Sequence, residues 1–290
     1  MALHKLKDFH TPGALEQALA LLDANSEALV LAGGTFIHGL EARGLLSDVE
    51  ALVDIRRIGL GAVKVDAVGV DIGATTTFAR LQAAPEVGSA PWLGALADAL
   101  AYPPVQIRNT ATIGGCIAAS CPFFDVPTAL FALDAVVVTR GQGGERRLEL
   151  PELFDGLFAN TLQSGELIAR VCLPRCQGNS ASAFVKLEGN ANDLAIVNAA
   201  VRLTVDAGGA CTEARVVLGG GVAESALRIL SAERILIGSK LDVATLRAAG
   251  DAVVDEIAPM SDHRASAEYR SAVAPVMTRR ALERAVARLA

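Results

Sequence analysis

The chain has no long uninterrupted apolar run. Asp98 breaks the apolar stretch 93–101 and Asp134 breaks 129–138, so nothing reads as a membrane span. The opening Met1-Ala2-Leu3-His4-Lys5-Leu6 lacks the apolar core of a secretory signal. A cytoplasmic protein is the expectation. Basic charge is not in excess: the formal net charge is -6 and the pI about 5.3, which excludes a general nucleic-acid binder. Histidine is scarce, and His4, His10, His38 and His263 show no metal-ligand spacing. Five cysteines in 290 residues are an odd number and no disulfide framework. Cys116-x4-Cys121 shares its spacing with part of an iron–sulfur pattern, but the close third cysteine is missing. There is also no Ser/His/Asp set, no pair of carboxylates in one motif, no internal repeat and no low-complexity tail. What is present is apolar mass: 52% hydrophobic against 20% charged residues, enough for one large domain or two ordinary ones.

Along the chain, Thr11-Pro12 reads as a cap and first position of a helix carrying Leu15, Ala18, Leu19 and Leu22. Residues 28–32 and 52–55 read as short strands, giving a small α/β unit with parallel pairing. Residues 63–65 and 68–73 form a hairpin pair. Thr75-Thr76-Thr77 offers caps for a helix with Phe78 and Leu81. Pro91 opens another helix with Leu93, Leu96, Ala97 and Leu100, ended at Tyr102-Pro103-Pro104. Strands follow at 135–138, 148–150 and 167–173, with a turn at 141–145. The polar stretch 175–180 is the candidate domain boundary. Beyond it, 182–187, 199–205 and 211–218 read as three antiparallel strands. A short helix from Ser225, a long one over about 242–257 and two near Tyr269 and 282–289 complete an α+β pattern.

Two glycine pairs carry the chemistry. In the first, Ala28–Leu31 runs into Ala32-Gly33-Gly34-Thr35-Phe36-Ile37. Glycines let the backbone turn sharply and approach a ligand, and successive N–H groups make an anion-binding concavity. A following helical turn adds its dipole. The second is Ala111-Thr112-Ile113-Gly114-Gly115-Cys116, again read as a glycine turn, with Thr110 and Thr112 as side-chain donors. Asp125 follows in a loop, either as an acceptor for a sugar hydroxyl or as a carboxylate satisfied within the loop.

Together these stretches resemble the FAD-binding medium subunit of the molybdenum hydroxylases, the carbon monoxide dehydrogenase and xanthine dehydrogenase family. The likeness rests on residues 32–37, residues 106–115, and Phe184-Val185-Lys186 with 193–197, and it covers essentially the whole chain in order. The resemblance implies an α+β protein. A vanillyl-alcohol-oxidase-type FAD domain over 1–175, with subdomains of about 1–57 and 58–175, would precede a C-terminal domain over 176–290. That second domain would hold a three-stranded antiparallel sheet and a helical bundle. Carried over, Gly33, Gly34 and Thr35 would cradle the pyrophosphate, with Ala32, Phe36 and Ile37 beside them. Ala111, Thr112, Gly114 and Gly115 would form the opposing wall. Asp125 would meet ribityl or ribose hydroxyls, and Tyr102 would lie near the flavin or adenine. Ile168 and Lys186 would border the isoalloxazine. Relatives usually carry asparagine where this chain has Cys116, and Asp-Pro where it has Cys121-Pro122.

The missing catalytic set agrees with a flavin that carries the chemistry itself. The resemblance implies an electron-transfer subunit. A small iron–sulfur subunit with 2Fe–2S clusters and a large molybdenum-cofactor subunit would be its partners, in a dimer of heterotrimers with an external electron acceptor. The competing readings are a stand-alone FAD-dependent reductase or oxidase of the same fold and a non-catalytic assembly subunit with a decayed FAD site.

Overall fold

The computed structural model describes residues 3–289. Strands β1 (Asp8–His10), β2 (Ala28–Leu31) and β3 (Ala51–Asp54) form a parallel sheet in the order β1-β3-β2. The helix Leu15–Ala24 covers it through Ala18, Leu19 and Leu22. It starts later than Thr11-Pro12 suggests. Ala14 is its cap residue, and the Gln17 side chain reaches back to accept from the Gly13 N–H.

A second sheet is antiparallel throughout. It contains β4 (Val63–Val65), β5 (Gly69–Gly73), β6 (Val136–Gly141), β7 (Gly144–Glu149) and β8 (Leu167–Pro174), in the order β4-β5-β8-β6-β7. The expected turn at 141–145 tightens to Gln142-Gly143, since pairing continues to Gly141↔Gly144. Pro91 opens a short 3-10 turn, Pro91–Leu93, before the helix Gly94–Ala101 that buries Leu96 and Leu100.

The third sheet has four strands where three were expected. β9 (Asn179–Leu187), β10 (Val197–Val205), β11 (Cys211–Gly219) and the two-residue β12 (Leu227–Arg228) are antiparallel in the order β12-β11-β10-β9. Every residue of β10 is buried. The helix Ala267–Val286 packs on β9 and β10, while Asp125–Ala132 packs on β10 and β11. The helix expected from Ser225 is replaced by β12 and the helix Leu230–Leu236. There the buried Glu233 carboxylate accepts from Arg228 and from the Val216 N–H. The long helix expected over 242–257 stops earlier. It is Val243–Asp251, capped by Asp242 on the Thr245 N–H, and the 3-10 turn Ala252–Asp255 follows it. The two expected C-terminal helices are one, with Pro275 inside it. An interior proline costs a helix about 3 kcal/mol. Burial of the apolar Ala274, Met277, Ala281 and Leu282 along the helix offsets that cost.

Phe184, Ala200 and Val217 of the third sheet belong to the same buried cluster as Leu96, Leu100 and Ile117. The apolar core therefore runs from the second sheet into the third without a break.

Candidate functional site

β2 ends against Gly33. A Cβ there would lie 2.1 Å from the Thr110 carbonyl oxygen, so only glycine lets the two glycine-bearing segments touch. Gly34, at φ +70, then turns the chain into the helix Thr35–Ala42. The first helical bond is His38 N–H to Gly34 C=O at 2.9 Å, and no side chain caps the start. The N–H groups of Thr35, Phe36 and Ile37 are therefore free of helical partners and aimed beyond the helix end. This helix buries none of its side chains. Phe36, Ile37, Gly39 and Leu40 instead face a cavity of about 900 Å³, of a size for a large organic cofactor.

The second glycine pair works differently from the first. It is not a separate turn but the first turn of the helix Ile113–Ala118, with Thr112 as its cap. The Thr112 hydroxyl accepts from the Gly115 N–H at 3.3 Å. Gly114 N–H donates to Ala74 C=O and Ile113 N–H to Thr76 C=O. A Cβ on Gly114 would sit 2.6 Å from the Ala74 methyl, so this glycine seats the helix on the neighbouring chain. These N–H groups are already used inside the protein, and Thr110, expected as a donor, spends its hydroxyl on Gln106 C=O. The free donors of the site come from the first glycine segment.

The cavity brings together Ala32, Gly33, Gly34, Thr35, Phe36, Ile37, Ala111, Thr112, Gly114, Gly115, Cys116, Asp125, Ile168 and Lys186. Tyr102 is not among its lining residues. Its ring packs edge-on against Phe184, with Lys186 Nζ 5.3 Å from its centre, so it stands one layer behind the wall. Asp125 is buried at the start of its helix. It accepts from Lys186 Nζ at 3.0 Å and from Asn198 Nδ2 at 3.2 Å. Burial pushes its carboxyl up to about 6, against the opposing pull of Lys186 and Asn198. Lys186 also donates to Asp193 C=O at 2.6 Å and lies 3.0 Å from Glu188. Burial disfavours its charge, but Asp125 and Glu188 outweigh this and hold its pKa above the ordinary value. Burial pushes the Cys121 thiol up to about 11 and the Cys116 thiol well above the ordinary range, so both are neutral walls.

Lys186→Met is expected to cost the protein about 2 kcal/mol at neutral pH, because the buried Asp125 charge loses its counter-ion. Asn198 and the open cavity keep the loss below that of a sealed pair. The deficit shrinks as pH falls and Asp125 takes up a proton. Denaturant midpoints of both proteins at pH values above and below about 6 check this. A deficit that stayed constant with pH would contradict it.

Two parts of the site have no counterpart in the sequence reading. One is an aromatic cluster: Phe36 stacks on Phe158 at 6.1 Å and meets Phe124 edge-on at 5.8 Å, all three at the cavity. The other is residues 260–264 of the C-terminal region, which supply a further wall. Its visible signal was the polar Asp262-His263-Arg264 shortly before the cap Ser266.

Comparison with known proteins decides the family. A model described as the FAD binding domain in molybdopterin dehydrogenase matches residues 4–176, and one for the CO dehydrogenase flavoprotein C-terminal domain matches 182–285. The chain belongs to this flavoprotein family. It is 36% identical to the 6-hydroxypseudooxynicotine dehydrogenase complex subunit alpha of Paenarthrobacter nicotinovorans, over 97% of this chain and 95% of the relative. It is 35% identical to the carbon monoxide dehydrogenase medium chain of Afipia carboxidovorans, over 97% of each. A chain of carbon monoxide dehydrogenase from Hydrogenophaga pseudoflava superposes with a TM-score of 0.91 at 32% identity, covering 98% of this chain and 99% of that one. FAD is thus the cofactor of this flavoprotein, and the protein is the FAD-binding subunit of a molybdenum hydroxylase-type oxidoreductase. The cavity fits that cofactor: it offers uncapped amide donors for an anion and an apolar helix face, Phe36, Ile37, Gly39 and Leu40, that lines it. Among the described residues, no helix is long and apolar enough to cross a membrane.

Proposed function

We propose that this flavoprotein is the electron-transfer subunit of its complex. It takes electrons from a small iron–sulfur subunit beside a large molybdenum subunit and passes them to an external acceptor. The observation that carries the reading is the cavity, which has a cofactor-sized volume and anion-binding amides, while its cysteine thiols are held neutral and Asp125 is engaged by Lys186 and Asn198. Bound FAD supplies the electron chemistry. The chain binds and orients it. The N–H groups of Gly33, Gly34 and Thr35 hold the pyrophosphate. The Thr112 hydroxyl, which accepts from Gly115, keeps its own proton to donate. Asp125 accepts from sugar or ribityl hydroxyls, while Lys186 stays charged beside it. The aromatic cluster at Phe36 keeps water from one side of the cavity. The chain divides into an FAD domain over 1–175, with subdomains of about 1–57 and 58–175, and a C-terminal domain over 176–290. The complex is a dimer of heterotrimers in the cytoplasm.

The test is the absorption spectrum of the protein purified from its native source. Flavin bands with iron–sulfur absorbance and two further polypeptides are expected. Flavin in a lone chain that reduces a substrate would replace this reading with a stand-alone flavoenzyme. A colourless complex would replace it with a scaffold.

A further inference from the structure

Among the described residues, five that are not glycine have a left-handed backbone: Ser120, Asp134, Phe158, Asn192 and Leu241. A Cβ disfavours that conformation, and a large apolar side chain has no short polar group to recover the cost locally. Leu241 offsets it by burial, at 7% exposure. Phe158 does not, because 47% of it remains exposed. The loop around Phe158 is nevertheless closed firmly. Phe154 pairs with Asn160 across its neck. Asp155 N–H donates to Ala159 C=O at 3.1 Å, and Thr161 N–H to Leu153 C=O at 2.9 Å. Two more bonds tie the loop to the end of the helix Ile113–Ala118. Asn160 Nδ2 donates to Ala118 C=O at 2.8 Å, and the Phe158 N–H to Ser120 C=O at 3.2 Å. Ser120 is itself left-handed, at φ +43 against +57 for Phe158. Two strained residues are therefore bonded to each other, and strain held in this way clusters at ligand sites.

What the strain achieves is an aromatic ring held in the cavity wall. Phe158 lines the cavity and stacks on Phe36, with the two rings 6.1 Å apart and 23° from parallel. Phe124 meets Phe36 edge-on at 5.8 Å and buttresses it. Phe36 directly follows Thr35, so this aromatic pair begins one residue beyond the amides assigned to the pyrophosphate. Phe36 takes part of the Phe158 surface, and about half of the side chain stays open. FAD carries a flat aromatic system on each side of its pyrophosphate, adenine on one and isoalloxazine on the other. Stacking of a flat ring on an aromatic side chain is of the same order as the strain, so a bound ring can repay it.

We infer that Phe158 is a cofactor-binding residue whose ring stacks on one of the two ring systems of bound FAD, and that Asn160 is a positioning residue for its loop. This rests on the cavity being the FAD site. A docking contact for a partner subunit would also leave an apolar ring exposed. It would not require that ring in the wall of the cofactor cavity, layered on the residue next to the pyrophosphate amides. Ring and strain can be tested apart. Phe158→Ala removes the ring and keeps the left-handed Cβ, Phe158→Gly removes both, and Phe158→Tyr keeps both.

The experiment measures FAD release from the purified complex, by the rise of free-flavin fluorescence after dilution. Phe158→Ala and Phe158→Gly are both expected to release FAD about tenfold faster, the loss of one stacked ring. Phe158→Tyr should release it at close to the wild-type rate. Asn160→Ala should also speed release, and adding it to Phe158→Ala should change nothing further, because Asn160 acts through Phe158. Competition by ADP for the flavin-depleted complex identifies the ring. Weaker competition in Phe158→Ala supports stacking on adenine, and unchanged competition with faster FAD release supports stacking on isoalloxazine. Wild-type release in Phe158→Ala would overturn the inference and leave the FAD site standing. If that variant instead loses a partner subunit while this chain keeps its FAD, Phe158 is a docking contact and the inference also falls. Fast release in Phe158→Ala with wild-type release in Phe158→Gly would assign the effect to loop strain and overturn it too. Additive effects of the two alanine substitutions would overturn the role of Asn160. A wild-type complex that holds no flavin would instead overturn the FAD reading on which the inference rests.

Discussion

Gly33→Ala is expected to strip the protein of its flavin and to lower its unfolding midpoint. The added methyl would stand 2.1 Å from the Thr110 carbonyl oxygen and 2.9 Å from its carbon. Both atoms are backbone, so neither can rotate away, and the two glycine-bearing segments must part. Parting them moves the start of the helix Thr35–Ala42, whose free N–H groups face the cavity. The sequence alone suggests that an aspartate at Gly33 acts by repelling the pyrophosphate while the fold stays intact. The structure replaces that argument with a steric one, in which a single methyl suffices. Gly34→Ala is the contrast. Its Cβ would meet only the flexible end of Leu31 at 3.2 Å, and its φ of +70 costs an L-residue about 1 kcal/mol. It should weaken flavin retention without abolishing it. The flavin-to-protein absorbance ratio and a thermal melt of the three proteins check both statements. Normal flavin content in Gly33→Ala would sink the assignment of this segment to the site.

The legible parts of this fold are those whose determinants lie close together in the chain. β2, β3 and β10 announce themselves as short apolar runs, β11 lies between glycines, and Gly33-Gly34 follows β2 after a single residue. Where distant partners decide, local reading fails. The second glycine pair looks like the first, but its N–H groups are taken by the Ala74 carbonyl and the Thr112 hydroxyl, and the distant Ala74 partner leaves no local pattern. The two helices expected near Tyr269 and 282–289 are one, because a buried face runs through both and across Pro275. Tyr102 is drawn behind the cavity wall by Phe184 and Lys186. The fully buried Arg270 was invisible because its acceptors, at Ile196, Gly220 and Met260, come from three separate stretches.

Asp98 shows the same effect at the largest energetic scale. In the sequence it only interrupts an apolar run. In the fold it is buried, and it accepts from Arg284 Nη2 at 2.7 Å, from both Nη atoms of Arg288 at 2.8 Å, and from the Phe184 N–H at 3.0 Å. Beside it, the Ser182 hydroxyl donates to the Trp92 carbonyl and accepts from the Ala95 N–H. These bonds fasten the helix Gly94–Ala101 to β9 and to the C-terminal helix. Asp98→Ala is expected to cost about 3 kcal/mol, the lower edge for removing one partner of a buried ion pair. The loss stays at that edge because Arg284 and Arg288 keep 46% and 28% of their side-chain exposure. It should still exceed that of Lys186→Met, since a buried N–H is orphaned and two guanidinium groups are left facing each other. β9 carries Lys186, so loosening this seam should also weaken flavin retention from a distance. Trp92 is the only tryptophan and lies on the seam, which makes its fluorescence a direct probe. In the wild type, Trp92 fluorescence and far-ultraviolet circular dichroism should report one coincident denaturant transition, because a single apolar core spans both sides. In Asp98→Ala that transition should move to lower denaturant and remain single if the shared core alone suffices for cooperativity. If the two probes separate in the variant, Asp98 is what couples the two regions. An unchanged midpoint would mean that the arginines find water as good a partner as the carboxylate.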